Sequence, residues 1–144
     1  MKITRVLPVA AILAISVVSG FHPSEAQGAA PAVEGAYTAA QAAAGEKLYA
    51  ANCSACHGAT LTGGVWPSLV GDAFTSQWIG RSAGDVYYVM STQMPVGAAG
   101  SLKPGEYVAL LAYILQQNKY PSGSVPLTRA SAKSVEITSL RART

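Results

Sequence analysis

The sequence predicts an all-α domain built on three main helices, and three observations point to it. Two capping patterns, Thr38-x-x-Gln41 and Ser82-x-x-Asp85, each open a run of helix-forming or apolar residues. An apolar stripe of Tyr107, Leu110, Leu111 and Ile114 recurs at i, i+3, i+4 and i+7 behind Pro104. No stretch alternates in the manner of a half-buried strand, and no segment repeats.

The first helix follows from Thr38. Its hydroxyl and the Gln41 side chain can satisfy each other's backbone N–H groups, and Ala42-Ala43-Ala44 comes next. The helix is expected to run into Cys53. Gly45 costs it about 1 kcal/mol relative to alanine, so a glycine there marks a place where another helix crosses closely. Gly58–Arg81 is glycine-rich, contains Pro67 and carries no helical or strand period, so it is expected to be irregular. The second helix starts near Ala83 and puts Val86, Val89 and Met90 on one face, which makes Met90 core filler. Met94 precedes Pro95, which disfavours helical backbone, so Met94 is expected just past the helix in a loop. The third helix runs from Pro104, suited to a first helical position, to about Gln117, and Asn118 and Pro121 end it.

Half of the 144 residues are apolar and 12% are charged, which excludes a disordered chain, a coiled coil and a collagen-like repeat. Part of that apolar content lies at the start. Residues 1–26 read as a secretory signal peptide: Lys2 and Arg5, then an apolar run from Val6 to Val18, then a small-x-small site at Ser24-Glu25-Ala26, with Ala30-Pro31-Ala32 as a second candidate. The run is shorter than the ~20 residues that span a bilayer. The mature chain is therefore expected to be exported to the periplasm without a transmembrane span. Residues 27–37 are an N-terminal extension. Residues 27–118 carry a net negative charge, whereas 119–144 carry Lys119, Arg129, Lys133, Arg141 and Arg143 against Glu136. These cations form no stripe and no aromatic motif accompanies them, so no nucleic-acid partner is expected.

The only cysteines are Cys53 and Cys56, in Cys53-Ser54-Ala55-Cys56-His57. C-x-x-C-H is the attachment sequence for c-type haem. Two thiols three residues apart on a helical turn can each add to a haem vinyl group, and the adjacent histidine can reach the iron. Three other readings compete: a plain disulfide in an oxidising compartment, a thioredoxin-like pair, and a zinc site. No βαβ pattern surrounds the pair, and two cysteines with one mature histidine supply too few zinc ligands.

The histidine count narrows the ligation. Only His22 and His57 occur, and His22 lies in the signal peptide, so bis-histidine ligation within the mature chain is excluded. A single C-x-x-C-H means one covalent haem c per chain. The sixth iron position falls to a methionine, another donor, water or nothing. Met94, outside the helix, is the expected ligand opposite His57.

These motifs, in order, resemble a class I c-type cytochrome over residues 38–123. They are Gly45-x-x-x-Tyr49 before the cysteines, Gly63-Gly64-x-x-Pro67-x-Leu69, Phe74 and Trp78, Asp85-Val86-Tyr87 before Met94-Pro95, and Tyr113-Ile114-Leu115 through Asn118 to Gly123. The last stretch and the Phe74/Trp78 pair are similar to the small cytochromes that accept electrons from periplasmic quinoprotein dehydrogenases. The resemblance implies a cytochrome c-like fold around one haem and contact between the first and last helices through Gly45, Tyr49 and Tyr113. It implies that the Pro67 carbonyl accepts a hydrogen bond from His57, and that Trp78 and Arg81 lie near a haem propionate. The chain departs from the family at Lys103, where a capping Ser or Thr is usual. Residues 124–144, the basic tail, match no pattern. Their apolar residues are spaced too irregularly for a helix, and the expectation is that Tyr120–Leu127 packs along the domain while the arginine-bearing end is available to a partner.

The implied function is electron carriage without catalysis. A periplasmic dehydrogenase, a quinoprotein by the subgroup resemblance, is the expected donor, and an oxidase or another cytochrome the acceptor. The alternative is a haem c subunit permanently bound in a dehydrogenase or oxidase complex. A third class, a sensor with an open sixth position, is disfavoured by Met94.

Overall fold

The computed structural model describes residues 35–139. The signal peptide, most of the 27–37 extension and the tail's last residues, Arg141 and Arg143 among them, lie outside the described residues. The architecture is helical: α1 (Ala39–Asn52), α2 (Ser54–His57), α3 (Gly71–Trp78), α4 (Ala83–Gln93) and α5 (Pro104–Gln117), followed by a single 3₁₀ turn at Ser131–Ser134. Among the described residues there is no strand, only isolated bridges at Tyr37–Ser122 and Ser82–Glu136.

Both capping boxes form. The Thr38 hydroxyl accepts the Gln41 N–H at 3.3 Å while the Gln41 side-chain oxygen Oε1 accepts the Thr38 N–H at 3.1 Å. Ser82 and Asp85 do the same for α4, at 3.2 and 2.8 Å. At α5 the lysine side chain, a donor only, has nothing to accept with. Instead the Glu106 carboxylate accepts the Lys103 N–H at 2.7 Å behind Pro104, so half of a capping box holds the helix start.

α1 and α5 cross in direct contact. A methyl group on Gly45 would collide with the backbone carbonyl of Ala109, so only glycine fits there. One turn on, the rings of Tyr49 and Tyr113 meet with centroids 5.6 Å apart at 50°. The helix contact implied by Gly45, Tyr49 and Tyr113 is thus present.

Two features differ from the sequence expectation. The apolar stripe of α5 is not one-sided: nine successive residues, Tyr107 through Leu115, are all buried. A helix apolar all round belongs in the middle of a fold, and α5 lies between α1, α4 and the cavity described below. The irregular stretch 58–81 also contains a helix, α3. No side chain of its own caps it. Its first N–H, on Gly71, is taken by the Asn118 side-chain oxygen at 3.0 Å, 47 residues away, while the Asn118 amide donates to the Leu69 and Ile114 carbonyls at 2.8 and 2.9 Å. Asn118 is fully buried by these bonds.

Residues 124–139 pack as a strap. Leu127, Ala132 and Ile137 are buried. The Gln41 amide bonds both the N–H and the carbonyl of Leu127, each at 2.8 Å. Further on, Val135 and Ile137 exchange backbone hydrogen bonds with the α3–α4 corner: Ala83 N–H to Val135 O, Gly80 N–H to Ile137 O, and Ile137 N–H to Arg81 O, at 2.7–3.0 Å. The packing thus extends ten residues beyond Leu127, with Arg129 and Lys133 on its exposed side.

Candidate haem-binding cavity

α1 ends at Asn52, and Cys53 both caps it and precedes α2. The Cys53 carbonyl accepts the N–H groups of both Cys56 and His57, at 3.1 and 3.0 Å. This tight turn sets both thiols and the imidazole on the wall of one cavity of about 450 Å³. No disulfide joins Cys53 and Cys56. Burial, and secondarily the neighbouring Cys56, pushes the Cys53 thiol up to about 11. A thioredoxin-like pair needs a lowered thiol pKa, and burial here acts in the opposite direction. Among the described residues no group of three or more His, Cys, Asp or Glu is placed to hold a bare metal ion, which disfavours the zinc reading.

The loop after His57 is tied to it at several points. Gly63 N–H donates to the His57 carbonyl at 3.0 Å, Trp66 N–H to the Cys56 carbonyl at 3.1 Å, and the Tyr49 hydroxyl to the Gly58 carbonyl at 2.6 Å. A Cβ on Gly64 would press on the Cys56 carbonyl at 2.9 Å. The loop so held brings the Pro67 carbonyl to 2.8 Å from His57 Nδ1. A carbonyl only accepts, so Nδ1 carries the proton and Nε2 keeps its lone pair for a metal.

α4 and the loop beyond it also line this cavity. Met94 caps α4 in an extended conformation, its N–H bonded to the Met90 carbonyl at 3.2 Å. Met90, expected as core filler, is half-buried and lines the same cavity. Phe74, Trp78, Val86, Leu110 and Ile114 complete the apolar sides. Trp78 is buried in the wall, whereas Arg81 does not line the cavity: it lies outside, with its guanidinium 5.5 Å from the Trp78 ring centroid. Among the described residues no Lys, Arg, Asp or Glu lines the cavity. Tyr107 is a residue that the sequence reading absorbed into an apolar stripe; its hydroxyl donates to the Met94 carbonyl at 2.8 Å.

These features fit a haem. The wall suits a flat apolar macrocycle, and two thiols, one imidazole with a fixed tautomer and two methionines all line the same cavity. No helix among the described residues is long and apolar enough to cross a membrane.

Comparison with known proteins agrees. The family model described as cytochrome c oxidase, cbb3-type, subunit III matches residues 40–114. The dihydro-heme d1 dehydrogenase of Pseudomonas aeruginosa is 33% identical over 98 residues, covering 67% of this chain and 20% of that protein. The crystal structure of the sulfane dehydrogenase SoxCD from Paracoccus pantotrophus aligns with a TM-score of 0.53 and 28% identity, over 67% of this chain and 52% of that one. The chain thus spans about a fifth of the first relative and half of the second. The strap, residues 124–139, lies beyond the family match.

Proposed function

The chain belongs to the cytochrome c family that includes subunit III of cbb3-type cytochrome c oxidase, whose members carry electrons on haem c rather than catalyse a reaction, and on that premise we propose that it is a periplasmic carrier with one covalently attached haem. Haem c bound here supplies one-electron exchange between ferric and ferrous iron. Cys53 and Cys56 would attach it through thioether bonds, each thiol adding across a vinyl group, and His57 and Met94 would hold its iron. Pro67 holds the His57 ring in one tautomer and one orientation. Trp78 would pack against the haem, and Arg81, outside the cavity against the Trp78 ring, would be the cation within reach of a propionate that extends beyond the wall. Held by both side chains, the iron would offer no open position to a substrate.

The observation that carries this reading is the imidazole locked by Pro67 in an uncharged cavity whose wall also holds both cysteines. Residues 1–26 act as the export signal, 38–123 as the cytochrome domain and 124–144 as its C-terminal segment. The donor is a periplasmic dehydrogenase, a quinoprotein by the motif resemblance, and the acceptor an oxidase or a second cytochrome.

A second reading, a haem c subunit permanently bound in a dehydrogenase, draws support from the relatives. Both are named as dehydrogenases, and this chain aligns with only a part of each. Stoichiometric co-purification with a dehydrogenase from the native source separates the two.

The test of the proposal is haem staining after denaturing electrophoresis of protein made in a host with a haem-attachment system. A stained band at the mature mass is expected, and Cys53→Ser with Cys56→Ser abolishes it. A colourless wild-type protein overturns the proposal.

A further inference from the structure

Residues 94–102, Met-Pro-Val-Gly-Ala-Ala-Gly-Ser-Leu, join α4 to α5. The segment is made of small and uncharged residues, and Gly97 and Gly100 take positive φ, at 85° and 74°. Such a segment has much backbone freedom to lose on ordering. Its own hydrogen bonds are local: Ala98 N–H to Pro95 O at 2.9 Å and Ser101 N–H to Ala98 O at 3.1 Å. Met94 N–H reaches back only to Met90 of the preceding helix. Among the described residues, a single hydrogen bond ties this segment to a helix other than α4: the Tyr107 hydroxyl donating to the Met94 carbonyl at 2.8 Å.

Tyr107 is itself held firmly. It sits at the start of α5, is 3% exposed, and meets the ring of Tyr87 on α4 edge-on at 6.3 Å and 78°. With Leu102 it forms part of the cavity wall. Its ring position is thus set by two helices, and a buried phenol must spend its proton on a partner. The partner is the backbone of the proposed axial ligand.

On the reading that Met94 ligates the iron, we propose that Tyr107 is a positioning residue for that ligand: its hydroxyl pins the Met94 carbonyl to α5 and so holds the side chain over the cavity. Without the hydroxyl the loop samples displaced conformations more often. An external ligand competing for the sixth position then binds more tightly, in proportion to the fraction of protein in which Met94 has moved away.

The experiment is imidazole titration of the oxidised holoprotein, read on the long-wavelength iron–sulfur absorption band. Tyr107→Phe keeps the ring and its packing. It should retain the band without imidazole and bind imidazole about two- to tenfold more tightly, the range that one neutral hydrogen bond supplies. Tyr87→Phe, which removes a hydroxyl from the other ring of the same aromatic pair but no hydrogen bond to the loop, should bind imidazole as the wild type does. A Tyr107→Phe protein with wild-type imidazole affinity overturns the proposal. So does an equal gain in Tyr87→Phe, which would mean general loosening. Met94→Ala separates this from the ligand assignment. If that variant keeps the band, the assignment fails and the positioning role falls with it. If it loses the band while Tyr107→Phe behaves as wild type, only the positioning role falls.

Discussion

Gly45 of α1 and Ala109 of α5 touch through their backbones, so that a single added methyl group at residue 45 would occupy the space of the Ala109 carbonyl. This crossing fixes the angle at which α1 delivers Cys53 and His57 to the cavity that α5 walls with Leu110 and Ile114.

Gly45→Ala therefore sets two effects against each other. Alanine improves the isolated helix by about 1 kcal/mol. The clash is with backbone, which cannot rotate away, and overpacking of that kind costs about 1–3 kcal/mol or more. Net destabilisation is expected in denaturant unfolding of the holoprotein. A more stable variant would mean that the two helices do not cross at this residue.

The two methionines of the cavity differ in role. Met94→Ala should abolish the iron–sulfur band and lower the reduction potential. Met90→Ala should keep the band, with a stability loss of about 1–2 kcal/mol, below the range for a fully buried methionine because Met90 is only half-buried. Absorption spectra and unfolding curves of both variants decide it, and the reverse pattern would exchange their assignments.

The strap makes a prediction where the sequence offered no pattern. Ile137 is fully buried and flanked by backbone bonds to Gly80 and Arg81. Ile137→Ala should cost about 2–5 kcal/mol. A loosely attached tail would give a change within about 0.5 kcal/mol, as surface substitutions do. The α3–α4 corner that the strap holds carries Trp78 and Arg81, so the variant should also perturb the haem absorption spectrum.

Acid should weaken the start of α4. The Ser82 hydroxyl donates to the Asp85 carboxylate at 2.7 Å and the Ser82 N–H at 2.8 Å, and these bonds, with a lesser contribution from Arg81, hold its pKa below the ordinary value of 3.8. A depressed folded-state pKa contributes stability that is complete above the unfolded value and is lost as pH falls through the folded one. Thermal unfolding as pH is lowered through and below 3.8 should show a steeper loss for the wild type than for Asp85→Asn, and parallel curves would remove Asp85 from the cap.

The sequence by itself determined what is written in near neighbours. Both capping boxes, the proline start of α5, the exit of Met94 from α4 and the spacing of Cys53, Cys56 and His57 are local patterns, each specified within a few residues. Of the two histidines in the sequence, His22 and His57, only His57 lies among the described residues and lines the cavity. Only the tertiary structure decided the rest. α3 has no cap of its own and borrows one from Asn118, so nothing between residues 58 and 81 announces it. The strap has no period because it is held by the side chain of Gln41 and by the backbone of Gly80–Ala83. Tyr107 reads as one more apolar residue of a stripe until α4 and α5 pack and bring its hydroxyl to the Met94 carbonyl. Hydrogen bonds between residues far apart in the chain leave no periodicity behind, because their partners are chosen by how the helices pack and not by the residues beside them.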